Sequence, residues 1–346
     1  MSRIEELIKE FCPDGVEYKK LVDTVTIERG KRVVREQLSP NGKYPVYQNS
    51  LTPLGFHTEY NNIANTTFII VAGAAGEIGY SDVAFWAADD CFTIVCPPSV
   101  INRYIYYALL RAQPQLLSKV RKASIPRLSR IAIENLIIPV PPMPVQREIV
   151  RILDNFTELT AELTAELTAR KQQYAYYRDK LLAFGDDVPK DTLENLCDFQ
   201  YGKGNSIPTA PGEYPVYGCN GVVGTTNVFN SIDAPVIGHI GSAGIVNWGK
   251  GKHFVTYNGT ICKVRPEKMI SRYAYHLLCS LHLEKFVKGS QPFLSYSDFA
   301  KETVAVPPLN IQQRVVSILD RFDTLCTDLS SGLPAEIEAR QKQYEY

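Results

Sequence analysis

The sequence predicts an α/β protein made of two β-rich globular domains that are separated by a pair of long antiparallel coiled-coil helices. Three observations predict this class. A unit of about 170 residues occurs twice in the chain, which makes a pseudo-two-fold internal repeat. Apolar residues at alternating steps of four and three, the pattern of a coiled-coil seam, follow each globular region. The globular regions contain short runs rich in Val, Thr, Tyr and Gly, which are typical of strands.

The repeat is clearest where each unit ends. The segment IPVPPMPVQREIVRILDNF (Ile138–Phe156) matches VAVPPLNIQQRVVSILDRF (Val304–Phe322). Three further pairs of segments match, namely Lys122–Arg130 with Lys288–Tyr296, Lys43–Asn49 with Glu213–Asn220, and Ala169–Tyr176 with Ala339–Tyr346. Two glycine-rich segments align Gly76 with Gly241. Because the helical segments are similar and most globular residues differ, we expect one duplicated scaffold with two distinct binding surfaces.

The first long helix is predicted to begin at about Pro144 and to end near Phe184. Proline is favourable in a first helical turn, and Gly185 is a typical stop. At about 1.5 Å per residue, such a helix is roughly 60 Å long. Inside it the tetrapeptide Thr-Ala-Glu-Leu occurs twice, at Thr160–Leu163 and Thr164–Leu167. Because four residues make about one helical turn, this repeat is a candidate device for setting the length of the helix.

An isolated amphipathic helix is only marginally stable in water, so the first helix needs a partner. The second copy supplies one over Ile311–Leu329; Gly332 and Pro334 then interrupt the pattern, and Ala335–Tyr346 resumes it. We expect the two helices to pack antiparallel. The residues predicted to pack between them are Ile149, Leu153, Phe156, Leu163, Leu167, Val315, Leu319 and Phe322.

These patterns divide the chain into four segments. The predicted segments are an N-terminal helix with the first globular domain (1–142), a central helix (143–185), the second globular domain (186–308) and a distal helix (309–346). Within the globular domains we predict strands at Thr66–Gly73 and Ala234–Gly241 and helices at Ile101–Leu117 and Ser271–Phe286.

The composition is that of an ordinary globular protein without an overall positive field. The chain has 37 Lys and Arg residues against 37 Asp and Glu residues, so any basic surface is local. The N-terminus lacks a signal-peptide pattern, and no apolar run approaches the roughly 20 residues that span a bilayer, which predicts a cytoplasmic protein that is not in the membrane. The eight cysteines form no Cys-x-x-Cys pair, so we expect reduced thiols and no zinc site.

Several catalytic signatures in the sequence are incomplete. Gly244–Gly251 fits the first part of a P-loop, but Gly251 replaces the Ser or Thr that would hold Mg²⁺. The glycine-rich segment Gly73–Gly79 does not open a long βαβ unit, as a dinucleotide site would. The five histidines form no nucleophile or metal-ligand pattern. We therefore expect no catalytic residues, no metal and no cofactor in this chain.

The remaining motifs fit contact with double-stranded DNA. Each copy carries a Lys-Ala/Gly-Ser-x-Pro-x-Leu-Ser element, whose lysine and hydroxyls suit phosphate oxygens, and amides nearby are of the kind that reads adenine edges. The candidate contacts are Lys31, Arg32, Gln48, Asn49, Lys122, Ser124, Arg127, Ser129, Lys203, Asn220, Lys288, Ser290, Gln291 and Ser295. For any one residue, a solvated turn is an equally good explanation. The recurrence of the set in both copies favours DNA.

At this point the layout resembles the specificity (S) subunit of type I restriction–modification systems, over essentially the whole chain. The most specific parts are the two VPP-x-x-x-Q-x-x-[IV]-V-x-I-L-D-x-F stretches and the helix ending in ARKQQYAYYRDKLLAF. The resemblance implies two target-recognition domains, each reading one half of a split DNA sequence. It implies two modification (M) subunits that dock on the helices and carry S-adenosylmethionine and adenine-N6 methylation. It also implies restriction (R) subunits for ATP-driven translocation and cleavage, and an S subunit without catalytic residues.

The chain departs from the family pattern at its end, because a longer member would continue past Tyr346 with a second YRDKLL-like tail. Two explanations stay open. Either this is a truncated form, or the N-terminal helix Ile4–Phe11, which matches Tyr177–Phe184, takes the place of that tail. The second explanation predicts that the two termini lie close together.

Two functions from other classes compete with this interpretation. One is a coiled-coil scaffold that joins partner proteins and never binds DNA. The other is a self-sufficient DNA enzyme, which the missing cofactor and metal motifs disfavour. Under the resemblance, the Thr-Ala-Glu-Leu segment spaces the two half-sites: each unit adds about 6 Å of helix, against about 3.4 Å per base-pair step.

Overall fold

The computed structural model describes residues 2–204, 211–327 and 332–345. The chain forms two compact units, unit 1 (1–158) and unit 2 (159–346). The division falls inside the long helix α5 (Met143–Leu182), which therefore begins in unit 1 and ends in unit 2. It also falls inside the predicted central segment, 143–185.

Unit 1 contains short strands and one long helix around a large apolar core, with two smaller apolar clusters beside it. Its helices are α1 (Arg3–Phe11), α2 (Leu21–Thr24), α3 (Asn102–Ser118), α4 (Arg130–Glu134) and the first part of α5, with a 3-10 turn at Arg35–Gln37. Its strands are β1 (Tyr18–Lys20), β2 (Thr26–Arg29), β3 (Tyr44–Tyr47), β4 (Gly55–His57), β5 (Thr66–Ile70), β6 (Ile78–Ser81), β7 (Trp86–Ala87), β8 (Cys91–Val95) and β9 (Ile137–Pro139).

The strands of unit 1 form small sheets, in the orders β2-β8-β5-β6, β4-β3-β7 and β1-β9. Central strand β5 is buried along its whole length, as its β-branched and aromatic residues predict. Helix α3 covers the sheet with Ile105, Leu109 and Leu116, which share a core with Ile69 and Ile94 of the strands. Beyond this core, the loops that follow β2 and β3 reach the surface, whereas the turn that follows β5 is largely buried.

Unit 2 repeats this order of elements. Its helices are the second part of α5, α6 (Leu193–Leu196), α7 (Ser271–Ser280), α8 (Leu309–Thr327) and α9 (Leu333–Glu345), with 3-10 turns at Leu283–Phe286 and Tyr296–Asp298. Its strands are β10 (Lys190–Thr192), β11 (Cys197–Tyr201), β12 (Tyr214–Gly218), β13 (Gly221–Thr226), β14 (Ser231–Gly238), β15 (Val246–Val255), β16 (Gly259–Val264) and β17 (Thr303–Ala305).

The sheet orders of the two units correspond. In unit 2 the order is β11-β16-β14-β15-β12-β13, with β10 paired to β17. Strand β15 is ten residues long and pairs antiparallel with β14 and parallel with β12, whereas unit 1 uses the two short strands β6 and β7 for these pairings. The α/β class and the internal repeat predicted from the sequence are confirmed.

Helix α8 packs antiparallel to the second part of α5 inside unit 2. The ring of Tyr177 stacks on Phe322, with centroids 5.7 Å apart. Leu182, later in α5, shares a core with Val315, earlier in α8. Conversely, Lys171, earlier in α5, is close enough to Cys326, later in α8, for its charge to act on the pKa of that thiol, which burial raises. The contacts therefore run in opposite directions along the two helices, as predicted.

The predicted seam residues occupy the less exposed face of these helices. Val315 and Leu319 are buried, and the other six, namely Ile149, Leu153, Phe156, Leu163, Leu167 and Phe322, are half-buried. By contrast, Leu159, which is off this seam, is 40% exposed. The end of the predicted second seam at Leu329, and the C-terminal Tyr346, lie outside the described residues.

Two sequence-based assignments in these elements need correction. The predicted helix at Ser271–Phe286 stops at Ser280, because His282 adopts a left-handed conformation with φ of 50° and a 3-10 turn follows. The glycine alignment was wrong by three residues. Gly73, not Gly76, corresponds to Gly241, since their amides donate to Pro126 and Pro292 respectively.

Candidate nucleic-acid interface

Seven of the eight predicted contacts of unit 1 lie in three surface loops, which we call the first loop (30–32), the amide loop (48–50) and the basic loop (121–127). The eighth, Ser129, follows the basic loop, and a largely buried glycine turn (72–76) lies against the amide loop and the basic loop. The corresponding loops of unit 2 are the first loop (202–204), the amide loop (218–220), the glycine turn (240–244) and the basic loop (288–293). The first loop of unit 2 is described only as far as Gly204.

Backbone hydrogen bonds join these loops in unit 1. The amide of Gly73 donates to Pro126 O at 3.1 Å, and that of Ala74 donates to Asn49 O at 2.9 Å. Gly73 has a φ of +83°, and a Cβ there would lie 2.8 Å from Asn49 O, so only glycine fits this close approach. The glycine turn therefore holds the basic loop and the amide loop side by side.

The first loop is fixed to the same region. In unit 1 the Lys31 amide donates to Ala87 O at 2.9 Å, and the indole of Trp86 donates to Lys31 O at 2.9 Å. In unit 2 the Lys203 amide donates to Val255 O at 3.0 Å. Both lysine side chains are exposed. Each lysine thus projects from a backbone that is held in place.

Unit 2 repeats the remaining connections. The amide of Gly241 donates to Pro292 O at 3.0 Å. A Cβ on Gly238, the last residue of β14 before the glycine turn, would lie 2.5 Å from Cys219 O, so the strand that leads into this turn approaches the amide loop closely. The structure therefore brings the predicted contacts of each unit together on one surface.

The predicted contacts differ in exposure. Gln48 and Ser295 are half-buried, and the other twelve are exposed, namely Lys31, Arg32, Asn49, Lys122, Ser124, Arg127, Ser129, Lys203, Asn220, Lys288, Ser290 and Gln291. Exposed basic and hydroxyl groups on a rigid backbone have the chemistry that phosphate oxygens require.

Two of the repeated serines have a structural role. Ser129 Oγ accepts a hydrogen bond from the Ala132 amide at 3.3 Å and caps α4. Ser295 caps the following 3-10 turn in the same way. Serine is a favoured N-cap residue because its oxygen satisfies a free helix amide. Helix capping alone is therefore sufficient to explain why these two serines recur.

The two lysines of the repeated element are not equivalent. Lys288 Nζ lies 2.5 Å from Asp298 Oδ1, and this hydrogen bond lowers the pKa of the Asp298 carboxyl. Ala132 stands at the corresponding place in unit 1, three residues after the capping serine, and has no charge to offer Lys122. The charge of Lys288 is thus already compensated inside its own unit.

The basic loops also differ in length. In unit 1 Arg121 and Arg127 exchange backbone hydrogen bonds of 2.8 and 3.2 Å; in unit 2 Lys288 and Phe293 exchange bonds of 2.9 and 3.1 Å. The position equivalent to Lys288 is therefore Arg121, and the pairing of Lys122 with Lys288 is wrong by one residue. Arg121 was missed as a candidate, although matching the two ends of each loop would have identified it.

In each unit a partly buried ion pair fastens the helix that follows the globular core, which is α5 in unit 1 and α8 in unit 2. In unit 1 Arg103 Nε lies 2.8 Å from Asp154 Oδ1, and the hydroxyl of Tyr107 donates to the same oxygen. In unit 2 Arg272 Nε lies 2.7 Å from Asp320 Oδ1. There His276 takes the place of Tyr107, with Nε2 2.8 Å from the same carboxylate oxygen.

His276 also connects α7 to the long helix. Its Nδ1 lies 2.8 Å from the hydroxyl of Tyr174 in α5. Burial lowers the pKa of His276, so the ring is neutral near pH 7. Nε2–H then donates to Asp320, and Nδ1 accepts from Tyr174. These hydrogen bonds therefore connect α5, α7 and α8 and have a structural role.

Within residues 2–204, 211–327 and 332–345, no group of three or more His, Cys, Asp or Glu side chains is arranged to hold a metal ion. All eight cysteines lie in these ranges and are free thiols. In the same ranges, every helix is too short or too polar to cross a bilayer.

Comparison with known proteins gives a consistent result. A family model described as "Type I restriction modification DNA specificity domain" matches residues 13–170 and again residues 187–339. A putative type I specificity subunit of Mycoplasma pneumoniae is 35% identical over 238 residues, covering 60% of this chain and 92% of that protein. The EcoR124I/EcoR124II specificity subunit of Escherichia coli is 35% identical over 280 residues, covering 70% and 69%.

The fold also has a solved counterpart. The crystal structure of a type I restriction–modification S subunit from M. genitalium superposes with a TM-score of 0.71. The alignment covers 95% of this chain and 96% of that one at 19% identity. At this identity the similarity concerns the fold alone.

Proposed function

The chain belongs to the family of type I restriction–modification DNA specificity domains, and from this premise we propose that each of its two units reads one half of a split DNA target. As a whole it is a DNA sequence-specificity subunit. The observation that supports the division of labour is the repeated loop surface, which has the same backbone connections in both units and different side chains.

Affinity and sequence specificity come from different parts of this surface. Lys31, Lys122 and Lys203 are exposed on anchored loops and supply sequence-independent contacts to phosphates. Side chains that differ between the units read base edges, because only base edges carry sequence information in the grooves. Binding therefore falls with salt, while the two half-sites are set by unit 1 and unit 2 separately.

The chain acts together with catalytic partners. Modification subunits, two in the full assembly, dock on the helices and supply S-adenosylmethionine and the methylation chemistry, and restriction subunits add cleavage. Exposed apolar side chains on the long helices α5 and α8 support this docking, among them Tyr176 at 61%, Ile318 at 44% and Leu159 at 40% exposure. The specificity subunit itself performs no catalysis.

The Thr-Ala-Glu-Leu repeat acts as the spacer between the half-sites. Thr160–Leu167 lies directly after the boundary between the units at Glu158, inside the uninterrupted helix α5. The hydroxyls of Thr164 and Thr168 donate to the carbonyls four residues earlier, at 2.7 and 2.9 Å, so they need no outside partner. Because each unit of four residues adds about one helical turn, a change in the number of units alters the length of α5 within the helix.

A gel-shift series tests the proposal against a scaffold that never binds DNA. The chain is mixed with random-sequence duplexes, with and without a co-expressed modification subunit, at several salt concentrations. Binding that weakens with salt in either series supports a DNA reader. A chain that binds the modification subunit but shifts no duplex under any condition contradicts it.

A further inference from the structure

Equivalent positions of the two recognition surfaces carry different chemistry. In the basic loops the residue that closes the loop is Arg127 in unit 1 and Phe293 in unit 2, as the paired backbone hydrogen bonds show. The opposite residue of each pair is Arg121 in unit 1 and Lys288 in unit 2. Arg127 is exposed, and Phe293 is 40% exposed.

The residue before the first loop differs in the same sense. The amides of Gly30 and Gly202 both donate to the start of a core strand, at Cys91 O and Gly259 O. The residues that precede Gly30 and Gly202 therefore occupy equivalent positions in the two units. They are Arg29 in unit 1, a cation, and Tyr201 in unit 2, an aromatic residue.

A third pair of positions lies in the turn before that core strand. Asp90 O accepts from the Val71 amide, and Asn258 O accepts from the His239 amide, each at 2.8 Å, which makes Asp90 and Asn258 equivalent. The residues before them are Asp89 and Tyr257. Unit 1 thus presents carboxylates where unit 2 presents an amide and a phenol.

In unit 2 the substituted side chains form one aromatic cluster. The ring of His239 lies 4.7 Å from that of Phe293, 4.3 Å from that of Tyr201 and 5.7 Å from that of Tyr257. Tyr257 is 42% exposed. Phe293 and Tyr257 therefore present an apolar, π-rich edge at the place where unit 1 presents guanidinium and carboxylate groups.

These sets match different base pairs. Arginine pairs bidentately with guanine O6 and N7, and Asp accepts from cytosine N4. Phenylalanine contacts the thymine methyl group, and Asn pairs with adenine N6 and N7. On the basis of the function proposed above, we propose that Arg127 reads a G·C pair in the half-site of unit 1 and that Phe293 reads an A·T pair in the half-site of unit 2.

Methylation mapping of single variants tests this assignment. The chain is co-expressed with its modification subunits, and methylated motifs are read by genome sequencing for the unsubstituted chain, Arg127→Ala and Phe293→Ala. Arg127→Ala is expected to lower discrimination at a G·C position of one half-site by about 5- to 150-fold. Phe293→Ala is expected to relax an A·T position of the other half-site. The gap stays constant in both.

Conservative variants separate base reading from loss of folding. Phe293→Leu keeps an apolar contact for the thymine methyl and is expected to retain the A·T preference, even if Phe293→Ala is destabilised. Arg127→Lys is expected to retain part of the G·C preference, since lysine also reaches guanine O6 and N7. Arg111→Ala, which removes an exposed arginine of α3, leaves the motif unchanged.

The results distinguish a failure of this inference from a failure of the proposed function. The inference is wrong if both variants alter the same half-site, if the relaxed positions have the opposite base composition, or if methylation weakens everywhere without a change of motif. If the unsubstituted chain directs no bipartite methylation, the proposed function itself is wrong, and that result is independent of either variant.

Discussion

Gln146 and Gln312 make the same hydrogen bonds in the two units. The Gln146 side chain accepts from the Ile101 amide at 2.9 Å and donates to Pro141 O at 2.8 Å; Gln312 repeats these distances with Ile270 and Pro307. Each also donates to a second carbonyl, at 3.2 Å for Gln146 and 2.9 Å for Gln312. Both amides are buried, so each glutamine ties the start of a long helix to its globular core.

Removal of this amide is expected to destabilise the protein. Gln312→Ala leaves the Ile270 amide and two carbonyls unpaired in a buried region, at a cost of about 2–4 kcal/mol of unfolding free energy. Chemical denaturation of the full chain measures the change. Gln313→Ala is the matched control, because Gln313 is the exposed neighbour on the same helix. Equal stability of the two variants would contradict the structural role.

His276 is expected to make stability depend on pH. Burial depresses the pKa of the folded-state imidazole, while the unfolded ring titrates near about 6.5. The unfolded chain therefore binds the proton more readily than the folded chain. The contribution of His276 to the unfolding free energy is fully present above about pH 6.5 and is lost as the pH falls from there through the folded-state pKa. The groups around the ring are Tyr174, Arg272, Asp320 and Asp323.

His276→Gln isolates this contribution. Unfolding free energies at pH 7.5 and 5.5 are expected to differ less in the variant than in the unsubstituted chain. Part of the difference remains, because burial also lowers the pKa of His253. An identical pH dependence in both proteins would show that His276 is already protonated or exposed.

A change in the spacer should alter the gap alone. Deletion of Thr160–Leu163 removes about 6 Å of helix and about 40° of rotation, which corresponds to one or two base pairs of the duplex. Methylation mapping is expected to show a shorter gap between unchanged half-sites. Replacing the same segment with Ala-Ala-Glu-Leu is the control, since it keeps the length. New half-sites at constant spacing would refute the spacer role.

The two basic loops should respond differently to loss of a lysine. Lys122→Ala is expected to weaken binding to all duplexes and to reduce the slope of log affinity against log salt by about 1. Lys288→Ala is expected to have a smaller effect, because Asp298 already neutralises this lysine. Asp298→Ala should strengthen non-specific binding. Salt titrations on random duplexes measure all three, and equal effects of both lysine variants would contradict the asymmetry.

The helices and the repeat could be predicted because their signals are long. The seam and the match between Ile138–Phe156 and Val304–Phe322 extend over many residues, so errors at single positions do not matter, and α5 ends within two residues of the predicted Phe184. Gln146 and Gln312 were visible inside that match, although their buried role was not.

The correspondence between the loops was harder to predict because the loops are short and repeat the same few residue types. Several glycines within a few residues allow alternative alignments, and several of them share a positive φ, so only the hydrogen bond to Pro126 or Pro292 identifies the corresponding turns. Arg29 and Tyr201 share no chemistry, so no comparison of residue types within the chain would pair them. Their equivalence rests on backbone geometry.

The central claim, that two units read the two halves of one split target, is tested most directly by mapping methylated motifs after exchange of one unit. Residues 186–308 are replaced by the same region of another specificity subunit, and the chain is co-expressed with its modification subunits. The account predicts two short half-sites around a fixed gap, of which one changes and the other is retained. Methylation of one continuous motif, or a change in both half-sites, would contradict it.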